Sequence, residues 1–306
     1  MRVRVLGSAA GGGFPQWNCG CPNCRGVRES TIRARPRTQE SVAVSADGES
    51  WYLLNASPEI RAQIESFTPL HPRGPRHSPV AGVVLTNGDL DHCLGLFSLR
   101  ESQPLVVYAT ESVRRGLTEH NMFYRTLERF EGQVRWRRLE CGAEIDLSLD
   151  GGHPSGLSLL AVAVPGKQPI HLETLQPATP EANVGLRIRE RSTGRTMAYV
   201  PGTGSIDEAV HSLIADADCV FFDGTFWSET ELIELGLGSK RARDMAHLPI
   251  GGPNGSLAQL ASVRARHRFF IHVNNTNPIL REDSEAAQAV RDAAWVVAED
   301  GMEVEL

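Results

Sequence analysis

The 306-residue chain contains no run approaching the roughly 20 apolar residues that a membrane-spanning helix needs, which argues against an α-helical span. A basic excess is missing too: Lys and Arg number 31 against 37 Asp and Glu, a formal charge of −6. A nucleic-acid-binding surface shows as a high isoelectric point or a clustered basic face, and the densest arginine group here, Arg33, Arg35 and Arg37, is short. No signal peptide is read at the N-terminus, because Met1–Gly7 alternates polar and apolar residues as a first strand does. Gly11-Gly12-Gly13 lacks the Lys-Ser/Thr of a phosphate-binding loop. Length alone suggests two domains at about 150 residues each, yet no long linker divides the chain, so one domain over residues 1–306 is expected. Hydrophobic residues at 41% and charged residues at 22% are ordinary globular values, excluding disorder, collagen and coiled coil. A cytoplasmic protein is the default expectation.

What is present reads as α/β. Residues 41–55 hold two strand-like runs around Asp47-Gly48, a pair suited to positive φ in a hairpin turn. Ser57-Pro58-Glu59 predicts a helix start, with Ser57 as cap and Pro58 at the first helical position. Strands are expected at 80–85, 105–108, 197–200, 218–223 and 268–273. Helices are expected after Thr110, after a Ser205–Glu208 capping box, over 256–266 and over 284–295. Hairpins come early in each half and strand–helix alternation later, so a mixed sheet or two packed sheets with outer helices is predicted. The irregular, Pro-rich segments 68–79 and 166–180 are candidate active-site loops.

Three clusters carry chemistry. Cys19, Cys21 and Cys24 crowd into six residues, a spacing at which three thiolates can converge on one tetrahedral Zn²⁺. They are one ligand short, so a fourth must come from elsewhere in the fold or from a partner chain; buried thiols or a redox Cys21/Cys24 pair are the alternatives. Thr86-Asn87-Gly88-Asp89-Leu90-Asp91-His92 follows an apolar strand, and α/β proteins place ligands at such strand ends. Its carboxylates, amide and imidazole suit a hard-to-borderline metal, although a capped polar turn would look similar. His272–Pro278 closes another apolar strand with a run of amides. Asp223–Trp227 and Ala246–Ile250, with His247, occupy comparable positions. The remaining histidines lack ligand-like neighbours.

Taken together, these residues resemble a known group. Thr86–His92 is similar to the metallo-β-lactamase superfamily signature H-x-H-x-D-H, with Asn87 and Asp89 standing where its leading histidines would be. The CxCxxC of Cys19–Cys24 is similar to that of the small zinc-containing branch of the superfamily, and Gly11–Cys19, Asp223–Trp227, Ala246–Ile250 and His272–Pro278 occur in an order that resembles the pyrroloquinoline quinone (PQQ) biosynthesis protein B family, over nearly the whole chain. The resemblance implies an αββα sandwich with the active site at the edge of two sheets. Asp91, His92 and His272 survive as metal ligands of one site, and Asn87 and Asp89 are candidate extra ligands. Lys167 falls where a further histidine is expected, and the bridging aspartate is replaced around Gly202.

Two imidazoles and one carboxylate form the facial triad of non-haem Fe(II) oxygenases, whereas a binuclear zinc hydrolase needs a bridging ligand and two filled sites. The implied function is therefore Fe²⁺-dependent hydroxylation of the tyrosine-derived ring of a precursor made from a Glu/Tyr-containing peptide. His247, Asp223 and Asp89 are the candidate catalytic groups. Lys167, Arg241 and Arg243 are candidates to meet substrate carboxylates. The cysteines would hold a structural Zn²⁺ completed by Asn275 or at a subunit boundary, with a homodimer as a further expectation. Two other functions compete: a carrier of PQQ or its precursor toward the periplasm, and a metal-dependent hydrolase of the precursor peptide.

Overall fold

Side-chain alternation sorts the chain into layers. The computed structural model describes residues 1–101 and 103–306, without the side chains of Met122 and Phe123. Its first sheet contains β1 (Arg2–Gly7), β2 (Ser41–Ser45), β3 (Trp51–Leu54), β4 (Val80–Val84), β5 (Leu105–Ala109) and β6 (Val134–Arg138). The second contains β7 (Glu144–Ser148), β8 (Pro154–Ala163), β9 (Val184–Glu190), β10 (Thr196–Val200), β11 (Cys219–Asp223), β12 (His267–Ile271) and β13 (Val296–Val297). A final strand, β14 (Glu303–Glu305), returns to the first sheet beside β1. The orders are β14-β1-β2-β3-β4-β5-β6 and β13-β12-β11-β10-β9-β8-β7.

Successive side chains of a strand point to opposite faces, and both faces here are covered. Val42, Val44, Tyr52, Leu54 and Val84 meet Ile188, Met197, Tyr199, Phe221 and Ile271 between the sheets. Their neighbours go outward. Ala43, Leu53 and Val83 pack under the helices of the first half, and Ala198, Val220 and Phe222 under those of the second. The result is the αββα sandwich implied above. Each half runs antiparallel and then parallel: β1–β3 and β7–β10 pair antiparallel, β3–β6 and β10–β13 parallel. The C-terminal ends of β4, β10, β11 and β12 meet along one rim, and the candidate site lies there.

Several local expectations shift. Helix Ile60–Glu65 has Glu59, not Ser57, at its cap position; the Ser57 hydroxyl donates instead to Gln63 Oε1 at 3.0 Å. Helix Glu208–Ile214 is capped by Asp207, whose carboxylate accepts from Val210 N, so the Ser205–Glu208 box does not form. The segment expected to be helical over 256–266 is helical only over Ser256–Gln259. Thr110 caps its helix as expected, accepting from Val113 N, and the helix expected over 284–295 spans only Glu285–Asp292, with Ser284 as its cap accepting from Ala287 N. Asp47 Oδ1 accepts from Glu49 N and Ser50 N while Gly48 takes φ +77°, which makes the 41–55 hairpin. Of the two irregular segments, only 166–180 reaches the site; 68–79 precedes β4 and lies at that strand's opposite end, beside a separate cavity. Among the described residues no helix is long and apolar enough to cross a membrane.

Candidate metal centre

The polar residues after β4 and β12 converge. Leaving β4, the chain runs through Thr86–Asp89 and turns into a one-turn helix, Leu90–Cys93, that aims Asp91 and His92 inward. Leaving β12, His272 adopts φ +60°, in the left-handed region, which ends the strand and swings its imidazole toward Asp91. Such backbone is sparsely populated by non-glycine residues and collects at functional sites. His272 Nε2 lies 3.2 Å from Asp91 Oδ2, and His92 Nε2 lies 3.9 Å from the same oxygen. One ligand atom from each of Asp91, His92 and His272 falls within 4.8 Å of the others.

Two threonines fix the imidazoles. Thr86 Oγ1 donates to Asn55 Oδ1 at 3.1 Å, so the lone pairs of that oxygen meet His92 Nδ1 at 3.3 Å and place a proton on it. The Thr225 hydroxyl donates to Asp223 Oδ1 at 2.6 Å and so accepts from His272 Nδ1 at 2.9 Å. In both rings Nε2 is left as the nitrogen that faces the pocket. His92 Nε2 is buried without a hydrogen-bond partner. An orphaned buried nitrogen is costly unless something binds it, and a metal ion is the group this donor set suits. Ligating histidines commonly have their other nitrogen held in this way.

Electrostatics follow from crowding. Burial alone would raise the Asp91 carboxyl, but His92 and His272 outweigh it and hold Asp91 well below the usual carboxylate range. Burial pushes His92 down to about 4, leaving it neutral. Burial would also lower His272, yet hydrogen bonding and attraction to Asp91 carry it up to about 9. Asp89 is raised to about 6, first by burial and then by Asp91.

Asp89 and Asn87 line the pocket, and the Asp89 carboxylate does not join the converging atoms of Asp91, His92 and His272. Asn87 Oδ1 accepts from Asp89 N at 3.0 Å, and its amide donates to Asn183 at 3.4 Å. Asp223, completely buried, accepts from Thr203 N, Thr225 N and the Thr225 hydroxyl, and lies 2.9 Å from His247 Nδ1. Asp223, His247 and His272 form a second group of converging atoms, but the Asp223 oxygens are saturated by these bonds. That group is a hydrogen-bond network rather than an open site. Arg243 pairs with Glu229 and Arg241 is exposed, so neither reaches the pocket, whereas Lys167 lines it.

Glu40, Asn55 and Asn183 carried no sequence signal. Glu40 is fully buried, accepts from Asn55 Nδ2 at 2.9 Å and stands 3.6 Å from His92 Nε2. Burial raises it to about 8. Only the tertiary fold brings these residues to the rim.

The cysteines make a separate cluster. Cys19, Cys21 and Cys24 are buried together with sulfurs within 4.8 Å of one another. The Asn275 side chain is the neighbour of all three, its Nδ2 donating to the sulfurs of Cys19, Cys21 and Cys24 at 3.2, 3.7 and 3.3 Å. Burial raises Cys21 to about 12; burial would raise Cys19 too, but the Cys21 N–H, the neighbouring thiols and Asn275 lower it. Asn275 lies three residues beyond His272, so both clusters share one stretch of backbone.

Comparison with known proteins agrees with this geometry. A family model described as a β-lactamase superfamily domain matches residues 50–273, which defines the class. Within that class, the chain belongs to the coenzyme PQQ synthesis protein B family. It is 44% identical over 309 residues to the Rhizobium meliloti (strain 1021) protein, covering 100% of this chain and 98% of that one. It is 42% identical over 312 residues to a Methylobacillus flagellatus relative, covering 99% of each. The crystal structure of Zn²⁺-bound PqqB from Methylobacterium extorquens superposes with a TM-score of 0.91 at 41% identity, covering all of both chains. A diphosphatase of the PhnP family shares the fold at 21% identity and a TM-score of 0.68, covering 100% of this chain and 97% of that one.

Proposed function

We propose that this chain hydroxylates the tyrosine-derived ring of a Glu/Tyr-peptide precursor during PQQ assembly, with Fe²⁺ held by Asp91, His92 and His272. The observation that carries the reading is the convergence of Asp91, His92 and His272, two imidazoles and one carboxylate whose His92 Nε2 is buried without a hydrogen-bond partner, while the oxygens of Asp223 in the neighbouring set are taken up by hydrogen bonds. Fe(II) held by these three residues would supply O₂ activation, one oxygen atom entering the ring as a hydroxyl and the other leaving as water, with the two electrons this requires drawn from an external reductant. Beside it, where a second metal would need ligands, stand Asn87, Asp89 and Lys167, of which the first is already hydrogen-bonded. The hydrolase reading, which requires two filled sites, is disfavoured on that ground.

The chain's own groups have defined tasks. Thr86 and Thr225 orient the ligating imidazoles. Asp223 holds the Nδ1 proton of His247, leaving His247 Nε2 to accept a proton from the substrate ring; His247 lines the pocket. Asp89, titrating near pH 6, faces the same space as a second proton acceptor. The Cys19–Cys21–Cys24 cluster, closed by Asn275, holds a structural zinc.

Metal content after anaerobic purification and Fe(II) addition tests the reading, beside an Asp91→Ala/His272→Ala control. One zinc and one iron per chain, with iron alone lost in the control, and oxygen uptake coupled to a one-oxygen mass gain in the precursor support it. Tight PQQ binding without oxygen consumption would sink it in favour of a carrier, which with no spanning helix among the described residues would escort rather than pass its cargo.

A further inference from the structure

Among the described residues, Lys167 is the single Lys or Arg lining the pocket; the other titratable groups there are Asp89, Asp91 and three histidines. It is one of two lysines in the chain, the other being Lys240. Its half-buried side chain makes no hydrogen bond or ion pair within 4.0 Å, in contrast to Arg243, which is spent on Glu229.

The backbone beneath Lys167 is held firmly. Asn183 Nδ2 donates to Lys167 O at 2.7 Å, and Asn183 Oδ1 accepts from Asn87 in the loop that leads to Asp91. Gly204 N donates to Pro165 O at 2.7 Å, pinning the turn from its other side. A Cβ on Gly166 would fall 2.3 Å from Asn183 Cγ, so the turn needs glycine there to lie flush. A solvated surface lysine needs none of this. A cation carried on anchored backbone, attracted through space to Asp89 but with no hydrogen bond or ion pair within 4.0 Å, inside a concavity of about 240 Å³ that also presents Phe226, is placed to receive an anionic group.

We infer that Lys167 is the substrate's carboxylate anchor, so that the pocket selects a compact aromatic carboxylate with its ring toward Asp91, His92 and His272. The inference rests on the pocket being the substrate site, as proposed above, and deepens that reading by naming the chemical class it takes. Asn183 is then the positioning residue that sets the distance between anchor and metal ligands.

The test uses two probes of equal length that differ only in charge, 3-(4-hydroxyphenyl)propionate and its primary amide. Their dissociation constants are measured by calorimetry on the metal-loaded full chain, on Lys167→Met and on Lys167→Arg, with metal content determined on each. The acid should bind more tightly than the amide, and Lys167→Met should weaken the acid by about ten- to a hundredfold, the range of a hydrogen bond to a charged group. Amide binding and metal content should stay unchanged, and Lys167→Arg should restore part of the discrimination. An acid-to-amide ratio unaltered by Lys167→Met overturns the inference, as does failure of the parent chain to bind either probe. Charge discrimination that survives in a chain showing no oxygen uptake would instead remove the hydroxylase reading and leave the carboxylate anchor standing.

Discussion

Thr225→Val isolates the hydroxyl on which the site converges. Valine keeps the β-branch and nearly the volume, so no cavity opens at a position that is 3% exposed. What disappears is a donor to Asp223 Oδ1 at 2.6 Å and an acceptor for His272 Nδ1 at 2.9 Å, with His247 Nδ1 3.0 Å from the same oxygen. His247 retains Asp223 Oδ2 as a partner at 2.9 Å, but His272 Nδ1 has no other acceptor among the described residues. A buried donor left unpaired costs about 1–3 kcal/mol, which urea denaturation of the metal-free chain would read as lost stability. Removing the group that orients a ligating imidazole typically weakens metal affinity by about 10- to 100-fold, measured by competition with a chromophoric chelator. Thr225→Ser, which keeps the hydroxyl, should stay within about threefold of the parent, a difference below 1 kcal/mol. If Thr225→Val bound metal as tightly as the parent while His272→Ala abolished binding, the orienting role assigned to this hydroxyl would be refuted.

Two further outcomes are expected. Burial raises Asp89, Glu231 and Glu40 to about 6, 7 and 8, and Asp91 holds His272 at about 9 against the opposing effect of burial. All four lie above their unfolded values of about 4 for carboxyls and 6.5 for imidazole. The folded chain therefore binds more protons than the unfolded one, and stability falls as pH rises through this window. Thermal midpoints of the metal-free chain should decline from pH 6 to 9, with a shallower decline after metal loading because the metal replaces the His272 proton; a flat or rising metal-free profile contradicts the assignment. Cys24→Ser should lose one zinc per chain and also weaken metal retention at Asp91, His92 and His272, because Asn275 and His272 share one backbone run and Asn23 Nδ2 donates to both Asn275 O and Asn277 O. Elemental analysis showing full zinc content in Cys24→Ser would refute the structural-zinc assignment.

How much of this was legible in the chain depends on the range of the forces involved. Asp47-Gly48, Thr110 and Ser284 act on their immediate neighbours, so a turn and two helix caps could be read from local sequence. Continuous apolar runs such as 80–84 and 219–222 declared strands covered on both faces, because in a sheet buried on two sides nearly every position is apolar. Spacing brought Cys19, Cys21 and Cys24 together and marked Asp91, His92 and His272 as metal-ligand types. Strands β6 to β9 were not anticipated: β6 (Val134–Arg138) and β7 (Glu144–Ser148) sit at the sheet margins, expose charged side chains and carry little of the apolar signal. Ser57 and Ser205 have the composition of caps, but the Ser57 hydroxyl is drawn to Gln63 Oε1, leaving its helix without a side-chain cap, and Asp207 takes the capping role from Ser205. The tertiary structure alone decided what borders the candidate metal ligands. Glu40, Asn55, Asn183 and Thr225 come from different strand ends, and their hydrogen bonds exist because two sheets close on one rim. Sequence sets which atoms can ligate; packing sets which nitrogen is left free to do so.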